Sequence, residues 1–151
     1  MGRPGYVPTN ERFVPVPPQA VWDALADPHG YAYWVVGSKV IRDAEPAWPA
    51  TGARFHHTIG VGPIKVSDHT RVLESRAPEL LRLRAKGRPL GTATVTLELL
   101  PRRGGTVVRI TERTDGIFAP VDWNPLFRLL TKGRNAESLM RLEELATRRR
   151  S

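Results

Sequence analysis

His57, Asp68 and Glu112 are the residues of this 151-residue chain whose types and setting suit proton transfer at neutral pH. An imidazole held in one tautomer by a carboxylate is a general base. A carboxyl on an apolar wall is an acid/base group or an anchor for a bound molecule. These three form the candidate catalytic set. The plain alternative is that they sit near the open end of a sheet, or satisfy one another. Metal chemistry is not expected. His56-His57 and Asp68-His69 are sequence neighbours, and neighbours on a strand point to opposite faces, so neither pair converges on one ion. The chain has no cysteine, which removes thiol nucleophiles, thiolate metal sites and disulfides. It has no phosphate-binding loop, dinucleotide fingerprint or nucleophile elbow, and no cofactor is expected.

The elements that position these residues follow from hydrophobic period and turn residues. Short runs divided by Gly and Pro predict an antiparallel meander of strands at Lys39–Glu45, Ala53–Ile59, Ile64–Glu74, Leu80–Lys86, Thr92–Leu100 and Thr106–Thr114. Alternation then sorts each strand into two faces. One face carries Phe55, His57 and Ile59; Ile64, Val66, Asp68, Thr70 and Val72; Leu81, Leu83 and Ala85; Val95, Leu97 and Leu99; and Val108, Ile110 and Glu112. Pairing Ile59 with Ile64 across a Gly60–Pro63 turn sets His57 beside Val66 and Phe55 beside Asp68. His57 and Asp68 are then diagonal neighbours, about 7–8 Å apart at the backbone. Pairing Leu99 with Val108 sets Leu97 beside Ile110 and Val95 beside Glu112. The face is self-consistent: aliphatic, with His57, Asp68, Thr70 and Glu112 as its polar members.

Before the strands, Glu11–Val16 predicts a short strand and Pro18–Ala26 a proline-initiated helix that stops at Asp27-Pro28. His29–Val36 predicts a second short helix containing Tyr31, Tyr33 and Trp34. The longest helical signal closes the chain. Asn124 is an N-cap, Pro125 suits the first helical position, and leucines recur at helical intervals to Arg149. On one ideal helix Leu126, Leu129 and Leu130 share a stripe, while Leu139, Leu142 and Ala146 fall nearer the opposite side. That split predicts a kink or break at Gly133. A strand-rich chain closed by one long apolar helix predicts an α+β fold, with a cavity between sheet and helix.

Length and charge set bounds. The chain fits one domain, residues 11–147, with an N-terminal extension at 1–10 and a basic tail at 148–151. No run approaches the about 18 apolar residues of a membrane span, and the start does not resemble a signal peptide, so a cytoplasmic protein is expected. The net charge is +8. Lys65, His69, Arg71, Arg82, Arg84, Lys86, Arg109 and Arg113 all fall in the outward phase of their strands, expected to be the convex side of the sheet. Such a row discourages edge pairing, or receives an acidic partner such as an acyl carrier protein. Nucleic acid is not the expected partner, because no aromatic side chains interleave with the arginines to stack bases.

The residue order also resembles a known superfamily. Phe13-Val14-Pro15-Val16-Pro17-Pro18 through Val21-Trp22, ending at Asp27-Pro28, is similar to the opening signature of the START-like (SRPBCC) helix-grip proteins. Glu74-Ser75-Arg76-Ala77-Pro78-Glu79-Leu80-Leu81 and Gly104-Gly105-Thr106-Val107-Val108 resemble two of its hairpins. Gly133-Arg134-Asn135 through Leu145 resembles the end of its last helix. The nearest subgroup is the polyketide cyclase/dehydrase and lipid-transport-like one. The resemblance covers residues 11–147 and implies a curved antiparallel sheet wrapped around the C-terminal helix, with two short helices after the first strand. It also implies that Tyr31 and Trp34 belong to a pocket wall. With them, Phe55, His57, Val66, Asp68, Leu83, Val95, Leu97, Ile110, Glu112, Leu126 and Leu130 are the candidate ligand-binding residues. Carriage of a hydrophobic small molecule and cyclase or dehydratase chemistry both remain open at this point, because fold does not imply function.

Overall fold

A computed structural model describes residues 9–27, 38–61, 64–86, 92–115 and 125–148, with side chains described for 9–27, 45–54, 69–85, 93–113 and 132–148. The expected second short helix, with Tyr31 and Trp34, lies outside the described residues. The elements run β1 (Thr9–Val14), α1 (Pro18–Leu25), β2 (Ser38–Ala44), β3 (Arg54–Val61), β4 (Ile64–Arg76), β5 (Leu80–Lys86), β6 (Thr92–Arg102), β7 (Gly105–Asp115) and α2 (Pro125–Arg148). The seven strands form one antiparallel sheet in the order β1-β7-β6-β5-β4-β3-β2. Only β1 leaves sequence order, because α1 carries the chain away from it and the last strand, β7, returns to pair with it.

The inward phase is the one that alternation predicts. Val72, Leu81, Leu83, Leu97, Leu99, Val108 and Ile110 are buried to 3% exposure or less. They form a single core with Val21, Trp22 and Leu25 of α1 and Leu139, Leu142 and Ala146 of α2. Thr106, fully buried beside them, donates its hydroxyl to the Val16 carbonyl at 2.8 Å, so its polar atom does not weaken the core.

The β3–β4 register differs from the expected one. β3 continues to Val61, which pairs with Ile64, so the connection is the tighter Gly62-Pro63. Pairing Gly60 with Lys65 and Val61 with Ile64 satisfies backbone groups that a four-residue loop would leave outside the ladder. Each expected pair moves by two residues: Ile59 opposes Val66, His57 opposes Asp68, and Phe55 opposes Thr70. An even shift keeps every residue on its predicted face. The β6–β7 ladder holds the predicted pairs Leu99–Val108, Leu97–Ile110 and Val95–Glu112. Its loop is tighter than expected, with Arg102 opposite Gly105 and Gly104 at φ +83°, a conformation that favours glycine.

A bulge in β4 organises the outer face. Val72 opposes Leu83 but Glu74 opposes Arg82, so Leu73 is the extra residue and is 37% exposed. Strict alternation would carry Glu74 inward with Val72. The bulge instead sets it outward, where Arg82 binds it at 2.8 Å and Arg76 at 3.0 Å. Farther along, Arg109 bridges Glu11 at 2.5 Å and Glu98 at 3.6 Å. The hydrogen bond and charge of Glu11 raise the guanidinium pKa above its ordinary value. The outward arginines are thus not uniformly unpaired. Arg71 lies opposite both Arg54 and Arg84, and Glu45 holds Arg54 at 3.4 Å.

The last helix is a single helix of 24 residues, not two segments. It needs no break because the apolar face on its far side has a partner: α1 packs against α2, and α2 also rests on β1 and β7. Asn135, Ser138, Leu139, Leu142 and Ala146 form its buried stripe, at helical spacing. Arg12 of β1 reaches Glu143 at 2.5 Å and fastens the helix along the sheet edge. Gly133 is exposed, and a Cβ built there meets nothing within 4 Å.

The contrast between two glycines is testable. Gly133→Ala should stabilise the protein by about 0.4–1 kcal/mol in urea unfolding, because the helix has room for the methyl and the unfolded chain loses freedom. Gly105→Ala should destabilise it by about 1–3 kcal/mol, since its Cβ would lie 2.2 Å from the Val14 carbonyl oxygen. A destabilised Gly133→Ala would restore Gly133 as a functional hinge.

Candidate functional site

The inward face is a lattice of cross-strand rows. One row is Val72, Leu83, Val95 and Glu112 across β4 to β7; the next is Leu81, Leu97, Ile110 and Asn10 across β5 to β1. Of the expected lining residues, Leu83, Leu97 and Ile110 are buried in the core, Val95 is half-buried against it, and Glu112 is buried at 9% exposure. Phe55, His57, Val66 and Asp68 are placed by their backbone positions on β3 and β4, and Leu126 and Leu130 by theirs on α2.

The candidate catalytic residues divide into two places. His57 and Asp68 are direct cross-strand partners on β3 and β4, closer than the diagonal relation expected from sequence. Glu112 lies on β7, in the row of Val72. By strand geometry that is about 13 Å along β4 from Asp68 and about 14 Å across the sheet, so the three do not share one centre. No group of three or more His, Asp or Glu side chains among the described residues is arranged to hold a metal ion.

Glu112 has a partner that periodicity did not reveal. Arg134, from the turn of α2 after Gly133, donates to its carboxylate. The Glu112 side chain is 11% exposed and that of Arg134 40%, so the pair opens to water only on the helix side. Beside it, Asn10 of β1 donates its Nδ2 to the Lys132 carbonyl at 3.0 Å. Asn135, at 3% exposure, follows on the same turn of helix. One signal in the sequence pointed this way: a charged residue in an otherwise aliphatic phase requires a cation or a polar group close by. Which one answers it is set by how α2 lies on β1 and β7.

Comparison with known proteins draws on this frame. A family model described as polyketide cyclase / dehydrase and lipid transport matches residues 9–147, from the first residue of β1 to the last turn of α2. The chain belongs to that family. Among solved structures, a protein of Thermus thermophilus aligns with a TM-score of 0.71 at 20% identity, covering 97% of this chain and 100% of its own. A protein of unknown function from Staphylococcus aureus aligns at 0.72 with 11% identity, over 95% and 94% of the two chains. One from Nitrosomonas europaea aligns at 0.68 with 20% identity, over 95% of both. At these identities the likeness is one of fold. No curated protein matches the chain in sequence. Family membership accords with the aliphatic inward face and the helix lying along β1 and β7. No helix among the described residues is long and apolar enough to cross a membrane.

The Glu112–Arg134 pair can be tested by itself. Arg134→Leu should cost about 1.5–3 kcal/mol in urea unfolding, toward the low end because water reaches the arginine side. Glu112→Gln should cost less, since an amide oxygen still accepts from Arg134. A double-mutant cycle should give a coupling above about 0.5 kcal/mol, and strict additivity would show that the two do not interact.

Proposed function

We propose that the protein binds a hydrophobic small molecule, such as a lipid or polyketide, in a cavity between the inward face of the sheet and α2, the sheet curving around that helix. The observation that carries this reading is the family match over residues 9–147. The inward face supports it physically. Apolar ligand surface removed from water there is stabilised by about 25 cal/mol per Å². The half-buried Val95 offers an aliphatic contact in front of the packed Leu83, Leu97 and Ile110, and Glu112 with Arg134 a polar one. Native mass spectrometry of the gently purified protein should reveal a co-purifying lipophile released on denaturation. An empty protein that also fails to bind an added apolar dye would sink the reading.

The β3–β4 register supports a second reading, a cyclase or dehydratase acting on a polyketide-like chain. His57 directly opposite Asp68 suits an imidazole whose tautomer is held by a carboxylate, leaving its other nitrogen to take a proton from substrate. Here the cavity folds the substrate and His57 moves the proton. In this case His57→Ala should lower turnover of a poly-β-keto thioester analogue by about 100-fold or more with unchanged binding. Equal loss of binding and turnover would make His57 a ligand contact.

A further inference from the structure

On the outward face, strand register builds one continuous row across five strands. Arg54 of β3 stands opposite Arg71 of β4, Arg71 opposite Arg84 of β5, Arg84 opposite Thr94 of β6, and Thr94 opposite Arg113 of β7. Neighbours in such a row are about 4.8 Å apart, so the row spans about 19 Å. Arg54, Arg71 and Arg113 are exposed and Arg84 is half-buried. Glu45 holds Arg54 at 3.4 Å and Arg84 is also engaged, but among the described residues no carboxylate pairs with Arg71 or Arg113. Like charges directly opposite one another destabilise a sheet, and this row sets them so twice, at Arg54–Arg71 and at Arg71–Arg84. Carboxylates supplied from outside would relieve that repulsion.

The shape of the charge selects the partner. Glu74 stands with Arg82 about 7 Å along the strands, and Glu11 and Glu98 stand with Arg109 beyond it. The cationic strip is therefore narrow and bounded by carboxylates on one flank. An α-helix rises 5.4 Å per turn, close to the strand spacing. Carboxylates at i, i+4, i+7 and i+11 of one helix advance about 16 Å and meet successive arginines of the row. A single-stranded nucleic acid fits less well, because the row holds no aromatic ring on which bases stack. An anionic membrane would press its headgroups against the flanking carboxylates. The geometry points to a docking strip for an acidic α-helix of a partner protein, laid across β3 to β7 on the face opposite the proposed cavity.

Fluorescence anisotropy with the full chain and two labelled peptides of about 18 residues tests this, a length at which an isolated helix can form. One peptide carries glutamates along a single helical face; the other has the same composition with the glutamates spread around the helix. The first should bind about tenfold more tightly than the second, and added salt should weaken it. Arg71→Glu and Arg113→Glu should each weaken it about tenfold. Arg102→Glu makes the same charge change on the same face, about 27 Å along β6 from Thr94, and should stay within about threefold of the unaltered protein. Two exposed row positions keep the test sound if one variant folds poorly. Equal binding of the two peptides, or of neither, would overturn the strip. An equal loss in Arg102→Glu would reduce it to net charge. Tighter binding of oligothymidylate or of phosphatidylglycerol vesicles than of the one-faced peptide would overturn it in favour of phosphate.

Discussion

Burial of one aliphatic sheet face under α1 and the second half of α2 is the interaction on which the rest of this structure depends. Each leucine in that layer contributes about 1.5–3 kcal/mol by leaving water, so Leu81, Leu83, Leu97, Leu99, Leu139 and Leu142 together far outweigh the surface ion pairs. Because a strand shows alternate residues to alternate faces, this one demand fixes the facing of every strand from β4 to β7. It also requires that any polar residue in the inward phase be answered by the segments packed on that face. Thr106 is answered by the Val16 carbonyl and Glu112 by Arg134.

The outer face follows different physics. Exposed ion pairs contribute little stability, but they set which charges are left over. The bulge after Val72 turns Glu74 outward to Arg82 and Arg76, and Glu11 and Glu98 neutralise Arg109. Toward β2 the arginines Arg54, Arg71 and Arg84 stand opposite one another, with Glu45 pairing Arg54. Composition gave the sign of the net charge, but which arginines find a carboxylate depends on strand register, and for Glu74 on a single extra residue in one strand.

Much of the architecture was legible because it rests on local period. The two-residue alternation of Thr92–Leu100 and Thr106–Thr114 predicted the inward set and the β6–β7 pairs. The proline-initiated α1 and the helix from Pro125 were equally plain in residue type and spacing. The errors concern relations that period cannot encode. The turn between β3 and β4 is tighter than its glycines suggested, so His57 meets Asp68 directly. The two apolar stripes of the last helix read as a break at Gly133, because a sequence does not say that α1 waits on the other side.

The candidate site divides along the same line. Sequence alone determined that Glu112 lies in an aliphatic phase opposite Val95, and that His57 and Asp68 belong to adjacent strands, since both follow from alternation. Only the tertiary structure decided that Glu112 is held by Arg134, that Asn10 of β1 is tied to the Lys132 carbonyl of α2, and that the His57–Asp68 pair stands on a different part of the sheet. Those contacts join residues far apart in the chain. Their geometry is set by how a rigid helix seats on a sheet edge, which depends on the packing of the whole core rather than on any local pattern.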